Sequence, residues 1–237
     1  MENAIYAALT RQSGLMREMQ SVANNIANSA TTGFRAEGVG YSEWVALTGA
    51  GPSLSMAAAR LRLTSMAQGG LKQTGGQLDL AIEGEGFFLV QTPAGQRLTR
   101  AGSFSSSAPG ELVTYDGFQV LDAGGAPIFI PPDAADLSIA ADGTVSAGGR
   151  PIAQVGLVRP LDPDGLIRED GVMFRADAGF EPTETGRIVQ GFVEASNVDP
   201  VDQIARMIEV QRAYEMGQSF LDAEDERIRN TISTLMK

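Results

Sequence analysis

Glu83 and Glu85 are the side chains of this sequence with the clearest capacity for chemistry. In Ile82-Glu83-Gly84-Glu85-Gly86-Phe87-Phe88 they alternate, so on an extended strand both carboxylates would leave from one face. A pair of carboxylates flanking a glycosidic bond is the machinery of a carbohydrate hydrolase. No cleft signal accompanies them, and two solvated charges are the plainer expectation. Gly84 and Gly86 form a Gly-x-Gly, but the third glycine and the following helix of a dinucleotide site are missing. A tight turn or bulge between two strands is expected there instead. Asp162-Pro163-Asp164-Gly165 resembles the opening of a calcium loop. It lacks a third acidic ligand and carries its glycine at the fourth position, not the sixth, so a plain turn is expected. Asp222, Glu224, Asp225 and Glu226 suit the wet face of a helix.

The composition narrows the chemistry further. The chain has no His and no Cys, so disulfides, thiolate nucleophiles and Cys/His zinc sites are excluded. The commonest general base at neutral pH is also absent. No G-x-S-x-G motif occurs. We therefore expect no catalytic residue, no cofactor site and no metal site. A secreted or periplasmic carbohydrate hydrolase using Glu83 or Glu85 is the one enzymatic alternative. The formal net charge of −11 opposes binding to nucleic acid or to an anionic membrane surface. No run of about 18 apolar residues is present to span a bilayer. The opening Met1-Glu2-Asn3-Ala4-Ile5 lacks the basic start of a cleavable secretory signal.

Proline marks the architecture that must position these residues. None of the 11 prolines precedes Pro52 and none follows Pro200. A helix interior rejects proline, which removes a hydrogen bond and clashes with the preceding turn. The two ends therefore read as helices around a non-helical middle. In the first, Ile5, Ala8, Leu15, Met19, Val22 and Ile26 follow a/d heptad spacing, with polar Gln12 at one a position. Asn25 and Asn28 close it, and Thr31-Thr32-Gly33 forms the turn beyond. In the second, Met207, Tyr214, Leu221, Ile228 and Leu235 repeat every seven residues, and Ile204, Ile208, Val210 and Ile232 widen the stripe. Asp199 suits the cap, Pro200 the first helical position and Asp202 the positive end of the dipole. Gly217 and Glu224 interrupt one d register, so an ideal two-stranded coil is not expected.

The middle is glycine-rich: 21 of the 28 glycines lie between Gly69 and Gly191. Strands are expected at Leu78 to Ile82, Phe87 to Val90, Leu112 to Thr114, Val120-Leu121, Ile128 to Ile130, Leu137 to Ile139 and Ile152 to Val158. Thr92-Pro93-Ala94-Gly95 reads as a turn, and Tyr115-Asp116-Gly117-Phe118 as a hairpin signal. Turn signals without intervening helical patterns favour antiparallel sheets. Residues 35–68 carry no decisive pattern. Gly49-Ala50-Gly51-Pro52 looks like a loop, and Ser53 to Ser65 is rich in Ala and Met.

Two segments resemble a known family. Ala23-Asn24-Asn25-Ile26-Ala27-Asn28-Ser29-Ala30-Thr31-Thr32-Gly33-Phe34-Arg35 resembles the N-terminal signature of the bacterial flagellar rod and hook proteins. Glu194 to Pro200 with Met207 to Glu215 resembles their C-terminal signature. Leu78 to Phe88 and Arg100-Ala101-Gly102-Ser103-Phe104 resemble the opening of that family's middle domain. The length suits a rod subunit, because hook subunits carry a further outer domain. The opening Met1 to Tyr6 is more similar to the proximal-rod branch than to the distal-rod branch.

The resemblance implies an α+β fold. N- and C-terminal helices would pair into a discontinuous, coiled-coil-like domain around an inserted antiparallel β-rich domain. The corresponding boundaries are 1–34 with 197–237 for the helices, 35–68 for a connecting segment and 69–196 for the β region. It also implies a structural subunit of the periplasmic rod, polymerising helically and transmitting torque, exported through the flagellar type III channel without a cleaved signal. Its partners would be other rod proteins, copies of itself and the export apparatus. The expected partner-binding positions are Ile5, Leu15, Met19, Val22, Asn25, Ile26 and Asn28 on the first helix. On the second they are Met207, Tyr214, Leu221, Ile228 and Leu235.

Overall fold

The computed structural model describes residues 2–46, 54–131, 134 and 136–236. Two long helices, α1 (Glu2–Ala27) and α2 (Pro200–Leu235), bracket a run of strands in which every ladder is antiparallel. The class is α+β. The start of α2 is fixed locally. Asp199 Oδ1 accepts hydrogen bonds from the Val201 and Asp202 amides at 2.8 and 3.3 Å, and Pro200 occupies the first turn, where its missing donor costs nothing.

Contacts divide the chain into two units. The first comprises Met1–Ala27, Ala36–Ser65 and Val198–Lys237. It contains α1, α2 and a long hairpin made of strands Glu37–Ala46 and Leu54–Thr64, which lies along α1. The hairpin pairs Glu37 with Thr64 at its base and shifts register between Gly40 and Tyr41. The segment that the sequence left without a decisive pattern is thus mostly sheet. Alanine and methionine favour helix, and the alternation Arg60-Leu61-Arg62-Leu63-Thr64 is the period-two signal beneath that bias. The loop reading at Gly49 to Pro52 falls outside the described residues.

The second unit comprises Asn28–Arg35 and Met66–Asn197. Its main sheet has nine strands. Seven follow the order Leu166–Glu169, Met173–Ala176, Gly95–Thr99, Phe87–Thr92, Gln119–Leu121, Leu112–Thr114 and Phe104–Ser106. Leu157–Pro160 joins through Phe87–Thr92 and pairs in turn with Phe180–Pro182. Phe87–Thr92 is covered on both faces. Phe88 and Val90 enter one core with Leu80, Ile82, Phe104 and Leu112, while Phe87 and Leu89 enter another with Leu98, Val158 and Phe174. That double burial explains an unbroken apolar run where a half-exposed strand would alternate.

The expected turn at Thr92–Gly95 joins two paired strands, and the expected hairpin at Tyr115–Phe118 is present. Two strand expectations need correction. Ile128 to Ile130 is not a ladder strand. Pro127 and Pro131 flank it, and only the isolated bridges Glu111–Phe129 and Leu121–Pro127 form there. Ile152 to Val158 is split into Arg150–Gln154 and Leu157–Pro160, which belong to different sheets. The break is at Gly156, where a Cβ would lie 2.1 Å from the Ala123 amide nitrogen.

A fragment spanning residues 66–197 retains both cores and all strands of the β unit. It is expected to show a β-type circular dichroism spectrum and one cooperative thermal transition. Its midpoint should fall below that of the same unit in the full chain, because Phe34, 1% exposed, is lost. A protease-labile, unstructured fragment would show that the β unit depends on more than its own cores.

Candidate assembly surface

Three buried polar side chains on α1 set the pairing of the two helices. Gln12 Nε2 donates to the Tyr214 carbonyl at 2.9 Å. Glu18, 9% exposed, receives the Arg206 guanidinium and, at 2.7 Å, the Tyr41 hydroxyl from the hairpin. Asn25, 1% exposed, donates to Gln203 Oε1 at 3.0 Å and to the Glu37 carbonyl at 2.8 Å, and accepts from the Glu37 amide at 2.8 Å. The Asn25 amide thus pairs with Glu37 as a neighbouring strand would, and it anchors the hairpin base. Polar groups at buried helix positions fix register, because a slip leaves each one without a partner.

Gln12 and Gly217, which interrupt the heptad pattern, form a matched pair. A Cβ at Gly217 would lie 2.7 Å from Gln12 Nε2. The missing side chain admits the glutamine amide to a helix backbone carbonyl.

The twelve positions expected to bind partners are distributed as follows. Leu15, Val22 and Asn25 are buried, and Ile5, Met19, Ile26, Met207, Tyr214, Leu221 and Ile228 are half-buried, all within the helical unit. Asn28 belongs to the β unit, where its carbonyl accepts from the Thr31 amide at 3.0 Å in the turn after α1. Leu235 is 81% exposed. The seven-residue stripe of α2 therefore has an occupant inside the chain, because its a/d face is the one turned to α1.

What α2 leaves uncovered is a different set. Ile208, Phe220 and Ile232 are 45, 45 and 51% exposed. They are spaced by twelve residues, and at 3.6 residues per turn each is turned about 120° from the last. Val201 and Ile204 extend the first patch, Met216 the second, and Leu235 and Met236 the third. On α1, Tyr6, Leu9 and Met16 are also exposed. The third patch reflects helix length. α1 has 26 residues and α2 has 36. With Gln12 opposite Gly217, α1 runs out near residue 227 of α2, so roughly the last two turns have no α1 beside them.

The β unit contains a second polar construction, which sequence reasoning did not single out. Glu194, 1% exposed, accepts from Arg35 at 2.9 Å, from Arg100 at 3.2 Å and from the Gly69 amide at 2.9 Å. Its backbone carbonyl accepts the Gly33 amide at 2.7 Å. Arg100 also donates to the Gly84 carbonyl at 2.8 Å. Burial pushes the Arg100 guanidinium down to about 10, against the pull of Glu194. Arg35 is lowered in the same way, with desolvation outweighing the same carboxylate. Arg168 stacks on Phe34 and Phe174 at 4.5 and 4.8 Å and donates to the Arg35 carbonyl. Gly33 has φ +70°, and a Cβ there would lie 2.3 Å from the Ala101 amide nitrogen. The signal available in the sequence was a charge set, Arg35, Arg100 and Glu194, embedded in otherwise small and apolar segments.

The carboxylates read for hydrolysis do not form a pair. Glu83 ends the strand Leu80–Glu83 and lies 3.8 Å from Arg187. Glu85 sits in the following bend between Gly84 and Gly86, at φ +95° and +120°. The bend breaks the alternation that would have placed both on one strand face. Asp162 Oδ1 accepts the Gly165 amide at 3.2 Å, which makes that segment the expected turn.

Comparison with known proteins places these features. Residues 81–147 match the flagellar hook protein FlgE/F/G D1 domain, and residues 189–234 match the flagellar basal body rod FlgEFG protein C-terminal region. The flagellar basal-body rod protein FlgF of Caulobacter vibrioides is 40% identical over 247 residues, covering 100% of this chain and 99% of that protein. FlgF of Mesorhizobium japonicum is 39% identical, covering 91% of this chain and 90% of that protein. The chain belongs to the flagellar basal-body rod family. Within the family it is most like FlgF, and FlgG of Bacillus subtilis is 33% identical, covering 98% and 99% of the two chains. The matched rod-family C-terminal region holds Glu194 and nearly all of α2, and the D1 match holds Arg100. No described helix of this family member is long and apolar enough to cross a membrane.

Three outcomes are expected. Burial, then the hydrogen bond to Glu18, raises the Tyr41 phenol to about 12. An unfolded tyrosine ionises near 10, so this contribution to stability is present at neutral pH and is lost as pH rises from about 10 through 12. Subtracting the tyrosinate absorbance titration of Tyr41→Phe from that of the native chain should isolate a component near pH 12, and Glu18→Gln should move it down. In a double-mutant cycle, Gly217→Ala should stabilise a Gln12→Ala background by about 1 kcal/mol, the helix-propensity gain. In the native background it should stabilise by clearly less. Glu194→Gln removes the counter-charge from two buried guanidiniums, and the β-unit transition should lose about 3–5 kcal/mol. An unchanged transition would show that the guanidiniums find other acceptors.

Proposed function

We propose that this chain is a structural subunit of the flagellar basal-body rod that polymerises through the exposed faces of its helix pair. The observation that carries this reading is the disposition of Ile208, Phe220 and Ile232, exposed apolar residues facing three directions around one helix. A single dimer contact needs one apolar face. A helical tube needs several, because each subunit meets different neighbours on different sides through heterologous, non-closing contacts. Each large apolar side chain covered by a neighbour contributes roughly 1.5–3 kcal/mol. Coil-like packing between copies would extend the pairing already made inside the chain. The free last turns of α2, with Ile232 and Leu235, are the natural place for it. Ile5, at the same end of the helix pair, is the other partner-binding position kept in this reading.

The subunit works without catalysis. Its role is to transmit torque, and a body of antiparallel strands resists shear along a shaft. It is exported through the flagellar type III channel and assembles in the periplasm with other rod proteins and copies of itself. A carbohydrate hydrolase is disfavoured by Glu83 and Glu85, which share no strand face.

Ile208→Asp or Phe220→Asp places a charge on a face that the monomer leaves open. The melting transition of the purified subunit is expected to stay unchanged, while rods fail to form and swimming motility is lost. Normal motility would show that these faces are not covered in the rod. A lowered melting transition would return them to the monomer's own core.

A further inference from the structure

The β unit carries an aromatic knob and a groove of mixed apolar and polar lining that the described residues leave open. Tyr115, at the tip of the hairpin Leu112–Thr114/Gln119–Leu121, is 96% exposed. On the same unit, Phe129, 52% exposed, and Ile152, 38% exposed, line a groove of about 460 Å³ together with Pro127, Pro131 and Asp122. We propose that Tyr115 of one copy docks in the Phe129–Ile152 groove of a second copy.

Charge supports this occupant. Asp116 follows the knob, and Arg150 lies two residues before Ile152 on the same strand. Neither makes an ion pair among the described residues. With the ring in the groove, the two charges meet at its rim. The groove also suits a phenol better than a plain ring. Asp122 gives one carboxylate oxygen to the Gly124 and Ala126 amides, both at 2.8 Å, and its other oxygen can accept the Tyr115 hydroxyl. A buried tyrosine needs such an acceptor. Arg150–Gln154 is moreover an edge strand, with only Thr144–Ala147 beside it in its sheet among the described residues. Knob and groove are different patches of one unit, so their contact is heterologous and repeats from copy to copy. The proposal rests on the reading that copies of this chain assemble together, and it names a contact outside the helices.

The test uses the full chain with Tyr115 replaced by the photoreactive aromatic p-benzoylphenylalanine, mixed with a tagged native copy at high concentration. Irradiation is expected to give a tagged dimer, with the adduct mapped by mass spectrometry to Phe129, Ile152 or their immediate neighbours. Ile152→Asp in the tagged copy should abolish it. Asp116→Arg and Arg150→Glu should each lower its yield roughly tenfold, and together should restore it. Absence of a dimer, an adduct elsewhere, or failure of the charge exchange to restore yield would each overturn the docking. The same photoreactive chain in isolated basal bodies separates the two readings. Incorporation into the rod with no groove adduct, or with an adduct on another rod protein, leaves the rod reading standing and overturns the second-copy occupant. Absence of the chain from the basal body overturns the rod reading itself, while the purified mixture still decides the docking.

Discussion

The β unit depends on one buried carboxylate. Glu194 gathers Arg35, Arg100 and the Gly69 amide, and its carbonyl holds Gly33. Apart from Arg100, these contacts come from the segments through which the chain enters and leaves the unit: 28–35, the start of 66–197, and its end. Asn197 completes the junction, with its amide donating to the Phe34 carbonyl at 3.3 Å and its side chain to the Ala67 carbonyl at 2.7 Å. An ion cluster with two guanidiniums and one carboxylate is a poor source of net stability, because desolvation offsets attraction. Its value is in fixing geometry. A displaced Glu194 would leave charges buried without partners, so the junction has a single low-energy arrangement.

The helical unit uses the same device in a milder form. Gln12, Glu18 and Asn25 occupy places where aliphatic residues would pack more strongly, and each has a partner on α2. An all-apolar seam tolerates sliding by a heptad, whereas three polar pairs do not. A shaft subunit presents its outer faces correctly only if its helices keep one register. Specificity inside the chain is therefore a condition for the three-way display of Ile208, Phe220 and Ile232 outside it.

The β unit shows the same preference for unique arrangements. Phe87–Thr92 is buried on both faces, and the strands around it belong to two packed cores. Close approaches at Gly102, where a Cβ would lie 1.7 Å from the Leu80 carbonyl oxygen, and at Gly33 leave no space for alternative packing.

The sequence by itself determined the helical ends, the antiparallel middle, the cap at Asp199, a turn and a hairpin, and the family. These are local signals. Proline exclusion, heptad spacing, turn dipeptides and short motifs act over a few residues and need no knowledge of the fold. The tertiary structure alone decided that strands Glu37–Ala46 and Leu54–Thr64 pair and lie along α1, because propensity in an Ala- and Met-rich segment favours helix and only tertiary pairing overrides it. It decided that the α2 stripe faces α1 first, since a periodic apolar face does not say which helix covers it. It decided that Gly217 is the counterpart of Gln12, and that Arg35, Arg100 and Glu194 form one cluster. Those contacts join residues between 94 and 205 positions apart. A pairing at such separation leaves no local pattern, and only the folded chain brings its members within hydrogen-bonding distance.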